Sequence, residues 1–287
     1  MTKISAILLA GVVLVTASVK AANVSTSSGD VILGIRVNGA GQGSGSDYLV
    51  DLGAYSTFLS AAGTIDLSSR LSASDLSTIF GNSWDTRTDL LWSVFAANNT
   101  GGALNGAPNR TLFGTFNSNG APGQSNAGGS PYARDISGNQ GQAAANIAGV
   151  QAALGNTAQA GTANAGTIGS GTTGSYTKNG VTGHTIIFGA STNSGWSAPG
   201  GNFENNTNVT GGAHTSDFYE VAPDDTGNLA DAALLGYFSL GSTSSANESF
   251  FFNSAVAAIP EPSTIALTGM GLGMLAAVLR RKSGAKS

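Results

Sequence analysis

The stretch VILGIRV, residues Val31–Val37, followed by DYLVDL, residues Asp47–Leu52, decides the fold class of this chain. Both runs are mainly apolar, with β-branched residues in the first and alternating apolar residues in the second, which is typical of strands that pack into a core. The segment between them, Gly39–Ser46, consists mainly of Gly and Ser, which favour a turn. The two runs therefore predict an antiparallel hairpin.

Further strand-like runs follow at intervals along the chain. They are Leu90–Ala97, Thr111–Phe116, Thr185–Phe188, Leu234–Leu240 and Ser249–Phe252. Short strands separated by Gly-rich turns predict a mainly β body, built as an antiparallel β-sandwich or a jelly-roll-like domain.

Helical patterns are few, and we expect one or two short helices. Ser72 and Asp75 have the spacing of a capping box before an apolar stripe that Gly81 ends, which predicts one helix. Residues 117–179 form a low-complexity insertion with few charges, in which Gln140–Leu154 has helical spacing. The rest of the insertion is compatible with an ordered loop, irregular β-structure or a mobile segment.

The composition of the body, residues 22–259, excludes several classes of function. It carries six basic and fifteen acidic residues, a net charge of −9, so it repels a nucleic acid backbone and we expect no nucleic acid partner. The chain has no cysteine, so it forms no disulfide and offers no thiol nucleophile or thiolate ligand.

The first residues have the order of a secretory signal peptide. Lys3 provides a positive charge, Ile4–Ala17 is a short apolar stretch, and Val19 and Ala21 are small residues at the −3 and −1 positions of a cut after Ala21. We therefore expect residues 1–21 to be removed by signal peptidase.

The last 28 residues combine a rigid breaker, an apolar segment and a basic end. Pro260-Glu261-Pro262 keeps the chain extended, because proline fixes φ and removes a backbone donor. Ser263–Leu279 is 17 residues without a charge, about 26 Å as a helix, which predicts a single transmembrane helix. The basic cluster that follows it predicts a cytoplasmic stop. This membrane stop consists of Arg280, Arg281 and Lys282.

This tail, residues 260–287, closely resembles the PEP-CTERM sorting signal, a tail that is also labelled after ice-binding proteins. The resemblance implies export in a Gram-negative bacterium and transient anchoring in the inner membrane. It also implies recognition of Pro260, Glu261 and Pro262 by exosortase, then release to the cell surface or extracellular matrix. It covers about a tenth of the chain and assigns no activity to the body.

Candidate chemistry in the body is sparse, and we predict no catalytic residue, no cofactor and no metal site. Trp196 lies in a loop-like stretch and is the best candidate for stacking on a sugar ring; Trp84 and Trp92 are the other tryptophans. We expect His184 and His214 to lie in exposed loops. The acidic residues Asp224, Asp225 and Asp231 resemble a calcium loop only loosely, because the EF-hand spacing is absent.

Three functional hypotheses follow. The first is a non-enzymatic surface or matrix protein associated with exopolysaccharide. The second is an exported glycan hydrolase, for which Glu204, Glu220 and Glu248 are candidate carboxylates. The third is a structural component of the envelope without a small ligand.

Overall fold

The computed structural model describes residues 22–117, 134, 136–159, 165–169, 204–207, 213–226, 231–244 and 247–255. The predicted signal peptide, the predicted strand Thr185–Phe188 and the whole of the sorting tail lie outside these residues.

Ten strands and three helices make up the described body. The strands are β1 (Asp30–Val37), β2 (Ser46–Ala54), β3 (Thr64–Asp66), β4 (Leu90–Ala97), β5 (Leu112–Phe116), β6 (Ala165–Gly169), β7 (Asn205–Asn206), β8 (His214–Val221), β9 (Ala233–Ser244) and β10 (Asn247–Ser254). The helices are α1 (Tyr55–Leu59), α2 (Ala73–Phe80) and α3 (Ser137–Gly155). Short 3₁₀ turns span Ser68–Arg70 and Trp84–Thr86.

All ten strands belong to one antiparallel sheet. Its order is β3-β10-β9-β8-β5-β4-β1-β2-β6, and β7 pairs with β4. The predicted hairpin is confirmed: β1 and β2 pair from Asp30 opposite Ala54 to Ile35 opposite Tyr48, with one bulge. The mainly β, antiparallel character predicted from the sequence is therefore confirmed.

The sheet curls until strands that are far apart in its order face each other. Trp92 of β4 meets Phe250 of β10 edge to face, with ring centroids 6.0 Å apart, although three strands lie between β4 and β10. Because side chains alternate across a strand, every second residue points into the curl. The inner side chains form an aromatic core with Phe58 of α1 and with Leu76 and Phe80 of α2.

The helix α3 packs on the outer face of the same sheet, mainly over β4, β5 and β6. Its buried residues Ala144, Ile147 and Leu154 pack on a cluster that includes Ile32 and Phe95. The predicted helix over residues 140–154 is confirmed, and it extends to Ser137–Gly155. The insertion over residues 117–179 thus contributes α3 and the edge strand β6 to the fold.

The helix α2 begins where the sequence predicts it. The Ser72 side chain accepts a hydrogen bond from the Asp75 backbone N–H, which satisfies one of the free amides of the first turn. Gly81 follows the last residue with φ of 96°, a conformation that favours glycine.

The two ends of the sheet differ in what they carry. We call one end of the sheet the tail end. It holds the first residue of β1 and the last residues of β2, β4 and β10. We call the opposite end of the sheet the far end. By the register of their strands, the residues at this end are Val37, Ser46, Leu90, Phe116 and His214. The chain leaves the sheet toward the sorting tail from the tail end, after Ser254.

Candidate functional site

Most residues predicted to act in sorting or binding lie outside the described part of the chain. They are Ala21, Trp196, Pro260, Glu261, Pro262, Arg280, Arg281 and Lys282. His184 and the predicted transmembrane segment Ser263–Leu279 lie outside it as well. Among the described residues, no helix combines the length and apolar character needed to cross a bilayer.

The other two tryptophans belong to the core. Trp84 is 3% exposed and Trp92 is fully buried, so neither can offer a ring face to a sugar. Trp92 packs against Phe250 inside the curl, as described above.

A shallow surface pocket of about 500 Å³ opens beside α1 at the tail end. It is lined by Ser56, Thr57, Leu59, Ser60 and Asn105. The sequence brings these residues together because α1 follows β2 directly, and the Tyr55 hydroxyl at the start of α1 donates to the Leu104 carbonyl. The hydroxyl and amide groups of this pocket can donate and accept hydrogen bonds to a polar ligand.

Glu204, one of the candidate carboxylates, is engaged in a buried ion pair. Arg36 of β1 donates from Nε to Glu204 Oε1 at 2.7 Å and from a terminal nitrogen to Oε2. Their side chains are 3% and 6% exposed, and the two residues are 168 positions apart in the chain. This bidentate pair fixes the residues around β7 to the outer face of the sheet.

Glu220 is the second candidate carboxylate, and it is half-buried near the end of β8. Burial raises the pKa of its carboxyl, and the positive charge of Arg134 partly offsets that rise. The side chain of Glu248 lies outside the described residues.

The structure also brings together a carboxyl pair that the sequence analysis missed. Asp30 of β1 and Asp51 of β2 are 7% and 4% exposed, and their side chains are hydrogen-bonded to each other. Asp30 also accepts from the Ser27 backbone N–H, and Asp51 accepts from the Gly53 N–H at 2.7 Å. Burial, reinforced by the neighbouring carboxylate of Asp30, raises the pKa of Asp51 to about 6, although the Gly53 hydrogen bond and Arg70 oppose the shift.

The Arg36–Glu204 ion pair and the Asp30–Asp51 carboxyl pair were not predicted from the sequence, but each has a signal there. Arg36 and Asp51 are charged residues inside otherwise apolar strand runs. A charge at such a position must find a partner when the strand is buried, so each of them marks a buried polar contact. The identity of the partner depends on the topology of the sheet, which the run itself does not specify.

The prediction that His214 lies in an exposed loop is wrong. His214 is the first residue of β8 and is half-buried, with Nδ1 3.1 Å from the Asn205 side-chain oxygen. The polar run His214–Asp217 does not read as a strand on its own, and pairing with β9 and β5 on both sides creates one. Since side chains alternate along a strand, His214 and Asp217 point to opposite faces of the sheet.

Two of the three loosely calcium-like acids, Asp224 and Asp225, have protein partners. Asp224 Oδ1 accepts from the backbone N–H and the hydroxyl of Thr226, which closes a local turn, and Asp225 accepts from the Ser137 N–H at 2.6 Å. Asp225 thus satisfies a free amide at the first turn of α3. In the described part of the chain, no group of three or more His, Asp or Glu side chains is arranged to hold a metal ion.

The comparison with known families identifies the tail. The family model for the PEP-CTERM protein-sorting motif matches residues 258–282. The chain carries a PEP-CTERM sorting motif. Proteins with a PEP-CTERM motif are exported and processed at the membrane by exosortase, and the predicted resemblance of the tail to this sorting signal is confirmed. No curated protein and no solved structure matches the chain.

Proposed function

We propose that this chain is a non-enzymatic protein of the cell surface or extracellular matrix of a Gram-negative bacterium, associated with exopolysaccharide. The observation that carries the proposal is the PEP-CTERM motif at residues 258–282. The acidic, cysteine-free body supports it, because such a body stays soluble outside the cell without disulfides.

The route of delivery follows from the two ends of the chain. Signal peptidase cuts after Ala21, the helix over Ser263–Leu279 holds the protein in the inner membrane, and exosortase acts at Pro260-Glu261-Pro262. Arg280, Arg281 and Lys282 keep the end of the chain on the cytoplasmic side until release.

The glycan contact of this proposal is Trp196. The described chain before its segment ends at Gly169, which pairs with Ser46 at the far end. The described chain after it resumes at Glu204, next to Asn205 and Asn206, which pair with Trp92 and Leu91 near the start of β4. Both attachment points therefore lie toward the end of the sheet opposite to the sorting tail. The burial of Trp84 and Trp92 leaves Trp196 as the third tryptophan of the chain to test.

We also propose that the curled sheet is a β-sandwich in its packing. Strands β4 and β1 lie on one side of the aromatic core and β9 and β10 on the other, and Trp92 meets Phe250 across it. Two packed halves of a single sheet bury a common interior as two separate sheets do.

The delivery route is tested by the intact mass and terminal peptides of the protein recovered from membrane and extracellular matrix fractions of its native cell. We expect a matrix form that begins at Ala22 and ends near Pro260–Pro262. A full-length tail found only in the membrane fraction would mean a permanent anchor, and the matrix role would be abandoned.

Glycan association is tested by retention of the matrix form on the cell's own exopolysaccharide. Trp196→Ala should weaken retention about tenfold, since an aromatic contact contributes on the order of 1 kcal/mol beyond its buried area, and Trp196→Phe should retain most of it. Equal retention of all three forms would remove Trp196 from the proposal.

The competing hydrolase is examined in the same assay. Among the described residues, Glu220 supports it, because burial raises the pKa of this carboxyl in a way that is common in catalytic acids. Release of new reducing ends from the polysaccharide, abolished by Glu220→Gln, would replace the non-enzymatic proposal with the hydrolase.

A further inference from the structure

The chain leaves the body at a fixed point of the tail end. The Ser254 N–H donates to the Gly63 carbonyl at 3.0 Å, and the Ala255 N–H donates to the Leu235 carbonyl at 2.9 Å. Strand packing is close here, because a Cβ added at Gly236 would lie 2.1 Å from the Asn253 carbonyl oxygen. The last described residue is therefore held against the body.

The connection from this point to the membrane is short. Five residues lead from Ala255 to Pro260 and eight lead to Ser263, the first residue of the apolar segment. At about 3.6 Å per residue at most, these lengths span no more than about 18 Å and about 29 Å. While the tail is in the membrane, the tail end of the body must lie within about 3 nm of the bilayer.

One part of the tail end carries no charge. Residues 54–64, which contain α1, and residues 98–109, which follow β4, include no Asp, Glu, Lys or Arg. Their exposed side chains are short hydroxyls and amides, such as Thr57, Ser60, Asn99 and Asn105, together with the small apolar side chains of Ala62, Ala103 and Pro108. We call these two segments the neutral surface; Gly63, which holds Ser254, belongs to it.

The exposed acidic residues nearest this end lie outside the neutral surface, and Asp30, Asp51 and Glu220, which also lie at the tail end, are buried or half-buried. Asp224, Asp225 and Asp231 follow β8, and the first two are engaged with Thr226 and with the start of α3. An acidic body brought close to anionic lipid is repelled least when the face nearest the lipid carries no acid. That face also loses no ionic hydration when water is displaced.

We propose that the neutral surface lies against the phospholipid headgroups while the sorting tail is in the membrane. This inference rests on the proposed function for the membrane anchor alone. It orients the body, with the far end and the attachment points of the Trp196 segment pointing away from the bilayer. The strand length of β1, eight residues and about 25 Å, separates the two ends.

The absence of cysteine makes a direct test possible, because a single introduced thiol is labelled without ambiguity. The full-length chain is reconstituted in vesicles of three parts phosphatidylethanolamine to one part phosphatidylglycerol, with a fluorophore at Thr57→Cys, Asn99→Cys or Asn38→Cys. A nitroxide-labelled headgroup lipid is the quencher. We expect at least threefold stronger quenching at the first two positions than at Asn38, an exposed residue beyond the far end of β1.

A charge variant tests the same contact independently. Ser60→Glu should lower the quenching at Thr57→Cys about twofold in these vesicles and leave it unchanged in pure phosphatidylcholine, whereas Ser60→Gln should have no effect in either. Because Ser60 is exposed, neither variant alters the core.

The contrary outcomes are distinguishable. If the protein does not float with the vesicles, the anchoring itself fails, and the proposed delivery route fails with it. If it floats but Thr57 and Asn38 are quenched equally, the orientation alone is overturned. If the fluorophore at Thr57→Cys becomes shielded from water only when exosortase is added, the neutral surface contacts the enzyme, and the lipid proposal is wrong.

Discussion

On β1, β2, β4 and β5, the side chains that face into the curl are uncharged, whereas the outer face of the same strands holds Asp30, Arg36, Asp47 and Asp51. The inner face buries aromatic rings against each other. The outer face, part of which lies beneath α3, mixes apolar residues with buried polar groups, and each of these polar groups needs a hydrogen-bond or ionic partner. The contribution of the inner face to stability should therefore depend on the volume of its side chains. That of the outer face should depend on the partners of its charged groups and on pH.

The largest effect on the free energy of unfolding is expected from a variant that creates a cavity inside the curl. Phe218 lies 5.0 Å from Phe238 and 6.2 Å from Phe58, between ring centroids, and is fully buried. Phe218→Ala should lower the free energy of unfolding by about 4–5 kcal/mol, because the lost contacts and the cavity both cost stability. Phe251→Ala, at a half-buried position of β10, is the matched control and should cost about half as much in chemical denaturation.

The second-largest effect on the free energy of unfolding is expected from the buried Arg36–Glu204 ion pair of the outer face. Arg36→Met leaves the Glu204 carboxylate in a buried site without its partner, and should cost about 3 kcal/mol in urea denaturation. The double variant Arg36→Met/Glu204→Leu should recover most of this loss. If the double variant is as unstable as the single one, the packing of Arg36 rather than its charge holds β7.

An ion pair at the surface provides the control. Arg87 and Asp89 form a bidentate pair with side chains 17% and 41% exposed. Arg87→Met should cost about 1–2 kcal/mol, because the exposed pair contributes little and the hydrogen bonds that Arg87 donates to the Gln42 and Phe80 carbonyls are lost with it. Equal losses for Arg36→Met and Arg87→Met would contradict the contrast between buried and exposed pairs.

The carboxyl pair makes the outer face sensitive to pH. The pKa of Asp51 is raised from 3.8 in the unfolded chain to about 6, so its contribution to stability is full below about pH 4 and is lost as pH rises through 6. Asp51→Asn should reduce this decline, to which the raised pKa of Glu220 also contributes, and should stabilise the protein at pH 7.5 by on the order of 1–3 kcal/mol. Thermal unfolding between pH 4 and 8 measures both effects.

The control for the carboxyl pair is Asp66→Asn, at an exposed position where hydrogen bonds from Ser68 lower the pKa. This variant should keep the decline in stability between pH 4 and 7. A decline of the same size in Asp51→Asn would show that another group causes it.

The smallest effects on the free energy of unfolding should come from the first turns of two helices, α2, which packs on the inner core, and α3, which packs on the outer face. Ser72→Ala removes the side-chain cap of α2 and should cost about 1 kcal/mol. Asp225→Ala removes an exposed partner of the first turn of α3 and should cost about 0.5 kcal/mol, less at high salt. The salt dependence of unfolding separates the two, because only the second contact involves a charge.

Sequence reasoning predicted the elements whose side chains form strong local patterns. The hairpin of β1 and β2, the strand β4, the capped helix α2 and the helix α3 all follow from apolar periodicity and capping residues. It missed β8, which begins with four polar residues, and β6, Ala165–Gly169, which is made mostly of small residues. These strands form because neighbours in the sheet supply their hydrogen bonds.

The polar contacts of the body were beyond sequence reasoning for a related reason. Arg36 and Glu204 are 168 positions apart, and Asp30 meets Asp51 only through the register of a bulged hairpin. Each contact depends on the order and alignment of strands, which a single sequence does not state.

The two outermost strands of the sheet are short. β3 has three residues and covers only Phe251–Asn253 of β10, and β6 has five residues, two of them glycine. Short, glycine-containing borders offer few consecutive backbone groups for a strand of another molecule to pair with. Where many exported copies meet, this protein should therefore resist fibril growth through these two edges of the described sheet.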